Sequence, residues 1–215
     1  MADTKTKSAT AAYDAPHLAR NPANFTALSP LGFLARAAAV YPDKLAIING
    51  ARRFTYRAFY ERCRRFADAL RRRGIRSGDT VSVLAPNVPA LLEAHYGVPM
   101  AGAVLNALNY RLDARAIAFI LLHGAAKLLI ADHEFVSLAG DALAELGQPL
   151  PIIEIADGSG ETTLGGTEYE AFLAEGDPEM AWSPPEDEWA PIALNYTSGT
   201  TGNPKGSFIT TAAPI

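Results

Sequence analysis

A single cysteine, Cys63, in 215 residues excludes an internal disulfide framework and any metal site built only from thiolates. No stretch approaches the roughly 18 consecutive apolar residues of a membrane span. The first twelve residues are small or polar, without the apolar core of a secretory signal. A strong excess of one charge is also missing. Lys plus Arg number 19 and Asp plus Glu 23, a net charge of −4, so the chain as a whole is neither a polybasic binder nor an acidic tail. The four histidines, His17, His95, His123 and His133, are scattered over different predicted elements and show no metal-ligand spacing. What remains is ordinary globular composition, 49% hydrophobic and 20% charged, enough for one domain of common size or two small ones. A cytoplasmic protein with no membrane span is the expectation.

The charge is balanced in total but not in place. Ten of the 19 basic residues lie between Arg52 and Arg76, whereas beyond residue 131 there are 15 acidic residues and one basic residue, Lys205. Within the basic stretch Phe59, Cys63, Phe66, Ala67 and Leu70 recur at helical spacing. The arginines Arg57, Arg62, Arg64, Arg65, Arg71, Arg72 and Arg73 then fall on the opposite side. They read as the solvated face of an amphipathic helix, in preference to a contact with another domain or a nucleic-acid footprint, and no nucleic-acid partner is expected. Cys63 on the apolar stripe reads as a small buried hydrophobe.

Residues 1–27, rich in Ala, Thr, Asn and Pro, are expected to be a loose, flexible arm. Ser29-Pro30 is a helix start, a capping side chain followed by proline in the first turn, and Pro42 stops that helix. Asn49-Gly50 between Leu45–Ile48 and Arg52–Thr55 predicts a hairpin. Thr55 can cap the arginine-bearing helix, which ends at Gly74. Strands are expected at Thr80–Leu84, Val104–Leu108, Lys127–Ala131, Pro151–Ile155 and Ile192–Tyr196. Helices are expected at Pro89–Ala101, Ala114–His123, Phe135–Leu146 and Glu168–Glu175. His95, in a helix of small residues, reads as a packing histidine. This alternation with short links predicts an α/β fold with a mostly parallel sheet flanked by helices.

The strongest chemical signal is Tyr196-Thr197-Ser198-Gly199-Thr200-Thr201-Gly202-Asn203-Pro204-Lys205-Gly206. A predicted strand runs straight into it. Hydroxyls and glycine N–H groups together can wrap an anion, because glycine permits close backbone approach. Lys205 adds a mobile positive charge suited to phosphates. The order is not that of a Walker A loop, which needs Gly-Lys followed by Ser or Thr; here Pro204 precedes the lysine and Gly206 follows it. On composition alone a polar surface loop is the competing reading.

YTSGTTGNPKG resembles the phosphate loop of the adenylate-forming (AMP-binding) superfamily, which holds acyl-CoA synthetases, firefly luciferase and peptide-synthetase adenylation domains. The similarity extends over residues 28–206. The segment LEAHYGVPMAGAVLNALNYRLDARAIAFILLHGAAKLLIAD resembles the branch of short- and medium-chain acyl-CoA synthetases and methylmercaptopropionate-CoA ligases. The resemblance implies a ligase of fatty acid metabolism in which a small carboxylic acid and ATP give an acyl-adenylate and pyrophosphate, and CoA then gives the thioester and AMP. It implies ATP, Mg2+ and CoA as cofactors or co-substrates. It assigns Thr197, Ser198, Thr200, Thr201 and Lys205 to the ATP phosphates and Gly199, Gly202 and Gly206 to the shape of the loop, with no metal ligand in this chain.

Complete members of that family are more than twice this length. The resemblance therefore implies an incomplete N-terminal domain in residues 28–206, inactive alone, binding nucleotide weakly or not at all, and associating with a missing C-terminal portion. A stand-alone phosphate- or nucleotide-binding module, or an interaction protein working with a separately encoded partner, is the alternative. Residues 207–215, Ser-Phe-Ile-Thr-Thr-Ala-Ala-Pro-Ile, depart from the family pattern. A shifted reading frame accounts for this, since one nucleotide string can encode both this tail and the Val-Val-His-His-His-Arg-Gly-Ala-Tyr-Leu that the family leads one to expect. The tail is expected to be structurally uncommitted, and the fragment marginally stable.

Overall fold

The computed structural model describes residues 17, 19, 21, 23–25, 27–156, 160–197 and 204–211. Most of the expected arm and Ser198, Gly199, Thr200, Thr201 and Gly202 of the expected phosphate loop lie outside the described residues.

The first helix, α1 (Pro30–Val40), starts where Ser29 predicts: its hydroxyl accepts from the Leu31 N–H, and Leu31 and Leu34 are buried. An antiparallel hairpin follows, β1 (Leu45–Asn49) and β2 (Arg52–Thr55), turning at Gly50 with φ 56°. A positive φ at this position is what glycine supplies without a Cβ clash. Thr55 caps α2 (Tyr56–Arg72) by accepting from Ala58 N–H, and Phe59, Cys63, Phe66, Ala67 and Leu70 are buried on its inner stripe.

The remaining chain alternates as its hydrophobic pattern requires: β3 (Thr80–Leu84), α3 (Pro89–Met100), β4 (Val104–Ala107), α4 (Ala114–His123), β5 (Ala126–Asp132), α5 (Val136–Leu146), β6 (Ile152–Ile155), β7 (Thr167–Glu168), α6 (Tyr169–Ala174), β8 (Pro191–Thr197) and β9 (Lys205–Thr210). Seven strands form one sheet in the order β7-β6-β5-β3-β4-β8-β9, parallel throughout except for the last pair.

Alternate residues of each strand serve two cores. Val81, Val83, Leu128, Ile130 and Ile153 face α1, α2, α3 and α6, whereas Leu84, Leu129 and Ala131 face α4 and α5. A strand buried on both faces reads as a continuous apolar run, which is why the parallel strands were legible. On the first face the helices approach closely. A Cβ at Gly97 would lie 2.7 Å from the Phe66 ring, and one at Gly176 would strike the Arg65 backbone carbonyl.

Two expectations are corrected. Ser207–Thr210 do not form an uncommitted tail. They belong to β9, in antiparallel register with β8 through Asn195↔Ser207, Leu194↔Phe208 and Ala193↔Ile209. Phe, Ile and Thr suit a pleated strand once an edge is available, and that edge is invisible in a nine-residue window. The arginine face of α2 is not simply solvated either. Arg62 binds Glu93 of α3 and Glu170 of α6, Arg64 binds Glu179, and Arg73 binds Glu175. The acidic excess after residue 131 thus neutralises part of the basic excess before residue 77.

Candidate phosphate-loop site

All the parallel strands point their carboxyl ends to one side of the sheet. In open α/β sheets ligands bind in the crevice outside those ends. The expected phosphate loop leaves the sheet there, at the end of β8, and returns along β9. Its mouth is closed by the backbone pairing of Thr197 with Lys205 and of Tyr196 with Gly206.

Of the five residues assigned to the ATP phosphates, Thr197 and Lys205 are thus brought together, both on exposed positions, while Ser198, Thr200 and Thr201, with the loop-shaping Gly199 and Gly202, lie outside the described residues. Among the described residues no carboxylate pairs with Lys205, in contrast to Arg62, Arg64 and Arg72 of α2. Gly206 matters sterically: a Cβ there would lie 3.3 Å from Leu194 and 3.4 Å from the Tyr196 ring, a tight fit against the strand that launches the loop.

One anchor was not legible in the sequence. Tyr196 Oη lies 2.8 Å from His123 Nδ1 at the end of α4, and the His123 ring stacks on Phe119 and meets Tyr196 edge-on. Burial raises the Tyr196 phenol above its ordinary range, so it stays protonated and can share its hydrogen atom with the imidazole. Seventy-three residues separate the pair; β8 pairing beside β4 and the packing of Tyr196 against the α4 core bring them together.

The same end of the sheet carries a cavity of about 510 Å³ near the ends of β5 and β6, lined among others by Asn49, Arg52, Pro89, Asp132, His133 and Tyr169. Asp132 is buried, accepts from the Glu134 N–H, and lies 3.1 Å from His133 Nδ1. Burial pushes its carboxyl above the usual range, against the pull of the Glu134 N–H and of His133. Asp132, His133 and Glu134 are close enough to share a cation, but His133 and Glu134 are exposed, and exposed acidic groups are common without one. His95, expected as a packing residue, is instead exposed. Its Nδ1 lies 2.8 Å from the Leu91 carbonyl, and its ring edges a groove between the hairpin and α3. The small residues that suggested burial lie on the other side of α3, where Ala94, Gly97 and Val98 pack. Cys63 is fully buried as expected, and burial raises its thiol well above the ordinary range.

The family model described as AMP-binding enzyme matches residues 34–215. The chain is 51% identical over 207 residues to acetate–CoA ligase CCL3 of Humulus lupulus, covering 90% of this chain and 36% of that protein. It is 49% identical to the acetate/butyrate–CoA ligase AAE7, peroxisomal, of Arabidopsis thaliana, with the same coverage of each. Among solved structures, the anthranilate CoA ligase AuaEII in complex with anthranoyl-AMP superposes with a TM-score of 0.78 at 24% identity, over 89% of this chain and 36% of that one, a likeness of fold. The chain therefore spans little more than a third of the length of the curated relatives it matches.

Proposed function

Because this chain belongs to the AMP-binding enzyme family, we propose that it supplies the N-terminal, phosphate-binding part of an ATP-dependent acyl-CoA ligase for small carboxylic acids. The observation that carries the reading is the β8–β9 hairpin, which opens its Ser/Thr/Gly-rich connection at the carboxyl end of the sheet with Lys205 exposed and unpaired among the described residues. Hydroxyls, glycine amides and one ammonium are a donor set that fits a polyphosphate. The relatives named for acetate and butyrate favour a short acyl group.

In the proposed reaction a carboxylate oxygen attacks the α-phosphorus of ATP. A new acyl–O–P bond forms, the bond to the bridging oxygen breaks, and pyrophosphate leaves with the electron pair. The CoA thiol then loses its proton and attacks the acyl carbon, expelling AMP. Thr197, Ser198, Gly199, Thr200, Thr201, Gly202 and Lys205 would bind the phosphates and hold the departing charge. Mg2+, when bound, would add charge neutralisation on the same phosphates. The His123–Tyr196 pair and Gly206 would fix the strands from which the loop springs. The chain alone is proposed to be inactive, since phosphate contacts without the remainder of a nucleotide and acyl site give little positioning.

The test joins this chain to the downstream two-thirds of the Humulus lupulus ligase and compares the product with the chain alone, supplying ATP, Mg2+, CoA and acetate or butyrate. Acyl-CoA from the joined protein and none from the chain alone is the expected result. Sustained acyl-CoA formation by the isolated chain, or none from a folded joined protein, would overturn the proposal.

A further inference from the structure

The outer side of α1 is apolar although its inner side already fills the core. Phe33 is 65% exposed, and Val40 and Tyr41 are also open to solvent. Together with Tyr56 they line a groove of about 300 Å³ whose rim carries Arg36 and Lys44. Among the described residues neither cation forms an ion pair with a carboxylate, so both are free to meet one from outside. Lys44 instead lies 5.6 Å from the centre of the Tyr41 ring. An aromatic groove rimmed by two unneutralised cations suits an apolar anchor flanked by carboxylates.

The chain itself displays such an anchor. Among the described large hydrophobic residues Trp189 is the most exposed, at 71%, and it follows Glu186, Asp187 and Glu188 directly. The turn beneath it is fixed. Asp187 accepts from the N–H of Trp189 at 2.9 Å through its side chain and from that of Ala190 at 3.0 Å through its carbonyl. Glu188 accepts from Leu28 N–H at 2.6 Å and, through its carbonyl, from the Thr211 hydroxyl at 3.0 Å. The backbone is thus ordered while the indole is left in water, so seating it elsewhere costs little further ordering. Tryptophan is among the residues enriched at the energetic centres of protein interfaces.

We infer that two copies of this chain associate by seating Trp189 of each in the α1 groove of the other, with Glu186 and Asp187 against Arg36 and Lys44. A two-fold arrangement would make the contact twice, since each copy carries both an anchor and a groove. Charge pairs at its rim make the association sensitive to ionic strength.

Sedimentation of the full 215-residue chain over a wide concentration range, at low and raised salt, tests this. A reversible dimer that weakens with salt is expected. Trp189→Ala and Arg36→Glu should each weaken it by about tenfold or more, the scale of a central anchor, with an unchanged thermal melt because both side chains are exposed. Combining Arg36→Glu with Glu186→Arg should restore part of the loss. A monomer at every concentration, or a dimer indifferent to these substitutions, would overturn the inference. So would a monomer whose groove, through Phe33 and Arg36, binds phosphatidylserine vesicles or a Trp-containing acidic peptide of another sequence.

Discussion

Along α2 and at its C-terminal cap, arginines reach carboxylates from distant parts of the chain: Arg62 to Glu93 and Glu170, Arg64 to Glu179, Arg73 to Glu175. At the β8–β9 hairpin Lys205 reaches none among the described residues. The first region uses its charge to close the molecule on itself, and the second holds charge at the open end of a sheet, where an anionic ligand can take it. A cation neutralised within the fold has little left for a ligand, so the two regions should respond oppositely to mutation. The α2 seam should govern stability, and the hairpin should govern catalysis.

The largest effect is expected at Glu93. Its side chain is fully buried and accepts from Arg62 Nε at 2.6 Å, from Arg62 Nη2 at 3.2 Å and from Tyr169 Oη at 2.6 Å. Burial alone would depress the Arg62 guanidinium, but its bonds to Glu170 and Glu93 hold it above its ordinary range. Removing Glu93 leaves the buried Tyr169 hydroxyl and the Nε edge of Arg62 without a partner, although Glu170 still holds the guanidinium, so the cost falls at the lower end of that for breaking a buried pair, about 3 kcal/mol. Denaturant unfolding of Glu93→Ala should show a loss of that size. A loss below about 1 kcal/mol, the scale of a surface pair, would mean that the seam does not hold the fold.

Gly176→Ala comes next. Its Cβ would strike the Arg65 carbonyl, and backbone cannot step aside as a flexible side chain can. Overpacking of this kind costs about 1–3 kcal/mol. A neutral substitution would show that the chain after α6 docks on α2 less closely than the distances indicate.

Much of this architecture was legible because it is written locally. The starts of α1 and α2 follow from Ser29 and Thr55, whose side chains each accept from a first-turn N–H. The parallel strands follow from short apolar runs. The α2 seam was not legible. Helical periodicity separates an apolar face from a polar one, but it cannot say that Glu93, 31 residues on, lies opposite Arg62. The site divides in the same way. The spacing of Thr197 to Lys205 is a local signal, whereas the support of Tyr196 by His123 depends on β8 pairing beside β4. β9 escaped notice because a six-residue strand gains its hydrogen bonds from a partner, and the tail alone does not reveal one.

Smaller effects sharpen the contrast. The hydrogen bond from Arg73 holds the Glu175 carboxyl below its ordinary 4.5, against the opposing effect of partial burial. A carboxyl lowered in the folded state contributes stability that is complete above its unfolded value and is lost as pH falls through the folded one. The advantage of the native chain over Arg73→Ala should therefore be constant near neutrality and should shrink below about pH 4.5. The pair is partly exposed, so the pH-dependent part should not exceed about 1 kcal/mol. Urea titrations of the two proteins at several pH values would show it, and a difference that grows on acidification would contradict the pairing. At the bottom of the scale, Lys205→Ala should change unfolding free energy by about 0.5 kcal/mol or less, readable in the same titrations.

The most direct test of the division between scaffold and site is pyrophosphate release by the protein joined to the downstream part of the Humulus lupulus ligase, measured for Lys205→Ala and Arg73→Ala side by side with their melting temperatures. Loss of a charged hydrogen bond to phosphate, about 1.5–3 kcal/mol, predicts a fall of roughly ten- to a hundredfold for Lys205→Ala at an unchanged melting temperature. Arg73→Ala should melt earlier and release pyrophosphate at the unaltered rate while folded. Equal release with Lys or Ala at position 205, or a catalytic loss confined to Arg73→Ala, would contradict the account.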